Sequence, residues 1–466
     1  MCGAYTEAHV VGYPRRVSKQ DSQIEELSLY VKLRPEAAEL GGATEVKTTG
    51  GARARLDLAD GGARIEIALP NLATAELRYV VDQAIKALGG VVRVGDVVLD
   101  GSEIADAILL TVALDLHHRS KGRVSIPENA ALEEEMQRIA RAEDLYRGWV
   151  NEDPSIRTSI QIASDVSTWA AEHENVTVTV LEEDELRAKG LRLLLAVGGA
   201  SEESPPRLVL AEYRPEGATG APTAIVGKGI TFDTGGINVK PYASFVSMMK
   251  NDMGGAALAC ALFESLVESG YDKPLLLVVP TCENAVGEKA MRPGALVKSY
   301  SGKTVRIDHT DAEGRLVLAD AIAYAGDTYA PAEFICFATL TTSALNSYGP
   351  FATPVHFANS DFQGRIETSG SAMGEDFHFF PKRLWHSIAN QDKEADLRNT
   401  ARLPGNASAG AGSRNAAHFL LEFANAPLCH FDIFASTWNW SGEAPGAGYG
   451  ATGAPLRSLI AAFGPQ

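Results

Sequence analysis

The chain has 466 residues, 45% of them hydrophobic and 22% charged, which is ordinary globular composition with length for two or three domains. Its formal net charge of -17 would repel a phosphate backbone, which argues against nucleic acid, and no apolar run is long enough to span a bilayer. The five cysteines, at 2, 260, 282, 336 and 429, are odd in number and free of CxxC spacing, as expected for buried, reduced thiols in the cytoplasm.

From the start, Met1 to Gln20 mixes Glu7, His9, Arg15 and Arg16 with single apolar residues and lacks the apolar core of a signal peptide. Up to about Arg123, short apolar strands alternate with helical stretches, with a Gly-rich strand region from Gly41 through Leu69. The basic runs Arg15–Arg16 and His117–Arg123 read as solvated surface, and no chemistry is recognisable in this part. Pro127 to Val150 reads as a helix opened by Pro127 and Asn129, with Leu132, Met136, Ile139, Leu145 and Trp149 along one face. The division expected is an N-terminal domain over residues 1–126, a linker helix over 127–150 and a larger C-terminal domain over 151–466.

In that larger part, strand-like runs at Leu191–Val197, Arg207–Leu210, Ala224–Val226, Leu275–Val279, Thr304–Ile307 and Phe334–Leu340 alternate with helical patterns at Gly255–Val267 and Leu316–Ala325. The alternation predicts an α/β fold: a smaller N-terminal α/β domain and a larger C-terminal α/β/α domain with a central, mostly parallel sheet. Gly405–Gly412 reads as a loop. In such sheets ligands sit at the carboxyl ends of strands, and two polar segments follow strands here.

The first, Val226-Gly-Lys-Gly-Ile-Thr-Phe-Asp-Thr-Gly-Gly-Ile-Asn-Val-Lys240, sets Lys228, Asp233 and Lys240 among glycines, which let backbone approach a ligand closely. Twelve residues later Asp252 precedes Gly254 and Gly255, at a helix start from which it can project into a site. The second segment, His309-Thr-Asp-Ala-Glu-Gly-Arg315, follows the strand Thr304–Ile307, so Asp311, Glu313 and Arg315 are expected to alternate on one side of an extended stretch. Taken singly, each carboxylate would pass for a cap or a surface ion pair. Four in one pocket would repel unless cations neutralised them, and hard oxygens with one nitrogen suit two divalent ions about 3.5–4 Å apart.

The stretches Val226–Ala257 and Asn284–Asp320, with Ala290-Met-Arg-Pro-Gly294, Ser299-Tyr-Ser-Gly-Lys-Thr304 and Thr310-Asp-Ala-Glu-Gly-Arg-Leu-Val-Leu-Ala-Asp320, closely resemble the leucyl aminopeptidase family. The likeness runs over roughly residues 140–466, with Ala338-Thr-Leu-Thr341 and Gly450-Ala-Thr-Gly453 as weaker anchors. It implies a hydrolase that releases N-terminal residues from short peptides. By resemblance, Asp233 and Glu313 bridge two metal ions, Asp311 completes one site, and Lys228 with Asp252 completes the other. The ions implied are zinc, with manganese or magnesium as substitutes. Lys228 can coordinate only as the neutral amine, so the neighbouring cations must depress its pKa. Lys240 suits the oxyanion, and Arg315 suits a bicarbonate ion acting as general base, since a guanidinium matches a planar anion. Met249, Thr339 and Thr342 are implied in the pocket for the first side chain. A cytoplasmic homohexamer with active sites facing an interior cavity is also implied.

Two departures stand out. His309 occupies a position where the family usually has Asn, and either bonds within the loop as Asn would or tunes the cleft. Thr342 stands where Gly is common and should narrow the pocket, which predicts a preference shifted away from the bulkiest N-terminal residues; one extra residue between Lys240 and Asp252 could reshape the same wall. Rival chemistries lack their signatures: there is no HExxH helix and no GxSxG elbow, and Ser301-Gly-Lys-Thr304 lacks the upstream glycine of a phosphate loop. A non-catalytic hexameric scaffold, or a DNA-associated relative, is the alternative. The presence of all seven functional positions weighs against the first, and the acidic charge against the second.

Overall fold

The computed structural model describes residues 27–35, 45–47, 53–59, 62–69, 73–89, 94–100, 104–118, 123–403, 408–440, 445–446 and 448–464. Met1–Gln20, Arg15–Arg16 and Cys2 lie outside them, as do Gly41 and Gly42. Among the described residues no helix is long and apolar enough to cross a membrane.

The first part forms a six-stranded sheet from β1 (Leu27–Pro35), β2 (Glu45–Lys47), β3 (Arg53–Ala59), β4 (Gly62–Leu69), β5 (Val94–Asp100) and β6 (Val124–Ser125), in the order β2-β3-β4-β1-β5-β6. Helices α1 (Thr74–Gly89) and α2 (Asp106–His117) accompany it, and α2 buries Leu109, Leu110, Val112, Leu114 and Leu116. The helix read over Pro127 to Val150 is α3 (Ala130–Asn151), with Leu132, Met136, Ile139 and Trp149 on its buried face. It starts where expected because the Asn129 side chain accepts from Leu132 N, satisfying one of the open amides of the first turn.

The larger part continues with α4 (Ser159–Ala170), β7 (Val176–Leu181), α5 (Glu183–Lys189), α6 (Arg192–Gly198), β8 (Arg207–Tyr213), β9 (Thr223–Gly227), β10 (Gly229–Asp233), α7 (Gly254–Glu268) and β11 (Leu275–Asn284). There follow β12 (Leu296–Lys298), β13 (Thr304–Arg306), α8 (Gly314–Tyr329), β14 (Glu333–Ala338), α9 (Thr342–Tyr348), β15 (Ala352–His356), α10 (Ser360–Met373) and β16 (Asp376–Phe380). Last come α11 (Leu384–Ala389), β17 (Leu397–Arg398), α12 (Gly412–Leu421), β18 (Leu428–Asp432) and α13 (Leu456–Phe463). The central sheet runs β16-β15-β18-β14-β9-β11-β8-β7, with β10 paired to the far end of β11. Its middle, β18-β14-β9-β11, is parallel, while β8 and the β15–β16 pair run the other way.

The alternation of side chains along these buried strands builds two cores. Ile225, Leu275, Leu277 and Val279 pack on the side of α3, α7 and α13, whereas Ala224, Val226, Leu276 and Val278 pack on the side of α6 and α8. The result is the expected α/β/α layering.

Three sequence readings need correction. Leu191–Val197 is helix α6, not a strand: its run is Leu-rich rather than β-branched, Gly190 ends α5 in the left-handed conformation, and the Asp320 carboxylate accepts from Leu193 N and Leu194 N at the new helix start. His309–Arg315 is not extended; it turns, and Glu313 already has helical angles (φ -81°, ψ -37°) ahead of α8. Gly412 is the first residue of α12 rather than the end of a loop, and 404–407 of that segment lie outside the described residues.

A buried ion network ties the two parts together. Arg457 of α13 donates to both oxygens of Glu143 on α3, at 2.8 and 3.0 Å, and to Asp115 of α2 at 3.1 Å, while Arg78 of α1 donates to both Asp115 oxygens.

Candidate active site

The parallel strands β10, β11, β14 and β18 end at Asp233, Asn284, Ala338 and Asp432, and the candidate site is built on those ends. Lys228 sits at the break between β9 and β10, with its amide bonded to Phe337 O and its carbonyl accepting from Ala256 N. Its ammonium donates to Asp252 Oδ1 at 2.8 Å and Thr339 O at 3.0 Å and pairs with Glu313 Oε1 at 2.9 Å. Gly314 permits this approach, because a Cβ there would stand 2.5 Å from Lys228 Cε and 2.6 Å from Nζ.

Asp252 lies in a 3-10 turn, Val246–Met253, immediately ahead of α7. Its Oδ1 also accepts from Thr339 Oγ1 at 2.9 Å. Asp233 ends β10: its Oδ1 accepts from Asn284 Nδ2 at 2.7 Å and from Gly235 N at 2.9 Å, leaving Oδ2 facing Lys240 at 2.9 Å. Gly235 and Gly236, at φ +89° and +65°, turn the chain back there, where side chains would be strained. Lys240 also pairs with Asp311.

The second segment is locked to the first by Thr310, whose hydroxyl donates to Gly235 O and accepts from Asn238 N. Asn399, far along the chain, accepts from Asp308 N and donates to His309 O, which fixes the turn. His309 Nδ1 accepts from Asp311 N at 3.3 Å, the local bond an Asn side chain would make.

Asp233, Asp311 and Glu313 each offer one oxygen within 4.8 Å of the others, in a group that could hold a metal ion. Asp233, Asp252 and Glu313 are 2% exposed. Asp252 Oδ2 and Glu313 Oε2 are buried, and among the described residues no hydrogen-bond donor reaches them. Two lysine charges leave part of the four-carboxylate charge uncompensated, and the titration directions reflect it. Burial and the neighbouring Asp233 and Glu313 charges push the Asp311 carboxyl up to about 7; Asp233 and Asp252 are likewise raised, burial first. Burial acts to lower the Lys228 pKa, yet the Asp252, Glu313 and Asp233 carboxylates outweigh it and raise it. Coordination by Lys228 as a neutral amine needs the opposite, which only added cations could impose.

Arg315 stands in the first turn of α8, 9% exposed, with Nε lacking a partner; burial lowers its pKa to about 10 against the pull of Glu313 and Asp432. Met249 is buried, the Thr339 hydroxyl is committed to Asp252, and Thr342 is exposed as the first residue of α9. The structure thus brings Lys228, Asp233, Lys240, Asp252, Asp311 and Glu313 into one pocket, with Arg315 following Glu313 into the helix. Sequence reasoning passed over Asn284 and Asn399. The first carries a usable signal, a polar residue closing a strand that opens with five apolar residues, Leu275–Val279; the second carries none.

Residues 144–460 match the family model described as "Cytosol aminopeptidase family, catalytic domain". A "Probable cytosol aminopeptidase" of Geobacter sp. (strain M21) is 37% identical over 333 residues, 71% of this chain and 65% of that protein, so the match spans slightly under two thirds of that relative's length. One from Microcystis aeruginosa is 30% identical over 438 residues, covering 91% of this chain and 87% of the relative. The solved structure titled "Bottromycin maturation enzyme BotP in complex with Mn" superposes with a TM-score of 0.80 at 26% identity, covering 93% of this chain and 98% of that one.

Proposed function

The chain belongs to the cytosol aminopeptidase family, and from that premise we propose that it hydrolyses the N-terminal residue from short peptides with the help of two divalent metal ions. The observation that carries the reading is the group Asp233, Asp311 and Glu313 beside Asp252, with buried carboxylate oxygens that no donor satisfies. Hard oxygens with one amine form a donor set for zinc, and for manganese or magnesium. In this reading Asp233, Glu313 and Asp311 would hold one ion, and Asp233 and Glu313 together with Lys228 and Asp252 would hold the other.

When bound, such ions supply Lewis-acid polarisation of the scissile carbonyl and an acidified water, and hold the free amino group that limits cleavage to the N-terminus. Thr339 O and Asp252 hold the Lys228 nitrogen in place, so it can turn its lone pair inward once it loses its proton. Among the described residues, the Lys240 ammonium pairs with Asp233 and Asp311. When those carboxylates face cations instead, its ammonium is free to donate to the oxyanion of the tetrahedral intermediate. The unpartnered Arg315 Nε would grip a bicarbonate ion that takes the proton from water. Met249, Thr339 and Thr342 would border the first side chain.

The reading extends to a cytoplasmic homohexamer with its active sites inward, and to an N-terminal domain over 1–126 joined by the helix of 127–150 to a catalytic domain over 151–466. The test is release of N-terminal residues from aminoacyl amides and dipeptides after chelation and return of zinc, manganese or magnesium. Activity should return with metal, and Asp252→Ala should lower kcat/KM by about a thousandfold or more, ~4 kcal/mol. Inactivity with every metal would leave a non-catalytic scaffold as the better account.

A further inference from the structure

We propose that His117, His118 and Asp144 form a site for a zinc-class divalent ion, sharing no residue with the catalytic pocket. His117 closes α2 and His118 follows it as the cap, while α3 presents Glu143 and Asp144 to both rings. His117 Nε2 lies 2.8 Å from Asp144 Oδ2, and one ligand atom from each of His117, His118 and Asp144 falls within 4.8 Å of the others.

His118 makes the case. Its Nε2 is 2.7 Å from Glu143 Oε2, and Glu143 is fully buried with both oxygens held by Arg457. A carboxylate so fixed accepts the Nε2 proton, and in the neutral imidazole that leaves the Nδ1 lone pair outward. What Nδ1 faces is the Asp144 carboxylate, with Oδ1 at 3.6 Å. In that tautomer two acceptors face each other and repel unless a second proton or a metal cation stands between them. The 3.6 Å gap is too long for a hydrogen bond, but it is close to the edge of a tetrahedron built on bonds of about 2.0–2.1 Å, roughly 3.3 Å. Carboxylate, imidazole and ion in line is the arrangement by which proteins set the tautomer and aim of a metal-bound histidine. Glu143 supplies it here and Arg457 fixes Glu143.

The rings of His117 and His118 meet edge-on at 73°, so their nitrogens reach the site from different directions. The His117 side chain is 30% exposed and that of Asp144 56%, which leaves an approach for the ion and a place for a water as fourth ligand. Two imidazoles with one carboxylate select zinc and its neighbours over magnesium or calcium. The bound ion would clamp the end of α2 to α3.

The test compares zinc held per chain, by elemental analysis after dialysis at low-micromolar free zinc, in the full-length protein and in His117→Ala and Asp144→Ala. Each variant should hold one zinc fewer than the parent, keep the parent's peptidase activity, and lose part of the zinc-dependent rise in melting temperature. Equal zinc content in parent and both variants overturns the proposal and leaves two His–carboxylate ion pairs. Since the readout is a difference, it stands whatever number of ions the catalytic pocket takes.

Discussion

Two buried clusters of charge in this molecule are built on opposite plans. In the network of Arg78, Asp115, Glu143 and Arg457, every oxygen of both carboxylates has a guanidinium donor, and both acids are held below their ordinary range, burial opposing and the arginine charges prevailing. In the pocket of Lys228, Asp233, Lys240, Asp252, Asp311 and Glu313, oxygens go unmet and three of the four acids are pushed up. A cluster whose task is to hold helices together is matched within the chain. One whose task is to receive cations must leave part of its charge for them, and the imbalance distinguishes a site from a strut.

Breaking a member of each cluster should therefore have opposite consequences. Arg457→Leu leaves the buried Glu143 without its guanidinium, although Asp115 keeps Arg78; breaking such a pair costs about 3–5 kcal/mol, and the urea midpoint should fall accordingly. Asp252→Asn keeps the Oδ1 that Lys228 and Thr339 use and removes an unbalanced charge, so stability should change by less than about 1 kcal/mol while activity is lost. If Asp252→Asn destabilised the fold as much as Arg457→Leu, the pocket would be a strut after all.

A third kind of buried group sharpens the contrast, one matched by staying neutral. His430 of β18 is fully buried, and its pKa is brought down to about 3 by burial, with the Cys336 backbone carbonyl pulling the other way and the Arg315 charge helping. His356 beside it is also held well below its usual value by burial and the surrounding histidines. The unfolded chain binds a proton at each as pH falls below about 6.5 and the folded chain does not, so full stability exists above 6.5 and is lost on acidification. At pH 5 the penalty is about 2 kcal/mol for His430 alone. Denaturant midpoints at pH 7 and pH 5 measure it, and a flat profile would mean that the folded state accommodates the imidazolium.

The same contrast explains what could be read from sequence. The pocket was legible because its ligands crowd two glycine-rich segments that follow strands, and the layering was legible from runs such as Leu275–Val279. The network was not: Arg457 and Asp115 are 342 residues apart, and each looks like an ordinary surface charge until the fold joins them. Asn399 was hidden for the same reason. Leu191–Val197 failed differently, since a short apolar run has no period of its own and the residue that settles it as a helix start, Asp320, lies across the core.

Around the pocket's rim the effects should be smaller. Thr342 stands exposed at the start of α9, and Thr342→Gly should favour bulky N-terminal residues over Ala by about tenfold in kcat/KM, ~1.4 kcal/mol. An unchanged ranking would move the pocket's limit elsewhere, with the aromatic contact of Phe245 and Trp440 as the next place to look.

His309 should matter least, although it stands two residues from Asp311. Burial first, then the charges of Lys240 and Arg402, hold its pKa below the ordinary value, which keeps the ring neutral. A neutral ring can offer Nδ1 as an acceptor, and the structure uses it so, toward Asp311 N. The oxygen of an asparagine reaches the amide two residues on in the same way. His309→Asn should therefore leave kcat/KM within about twofold and its pH profile superimposable on the parent's. A limb near pH 6 that disappears in the variant would instead make His309 a proton carrier, and the imbalance of the pocket would then extend to a group the structure otherwise presents as part of its frame.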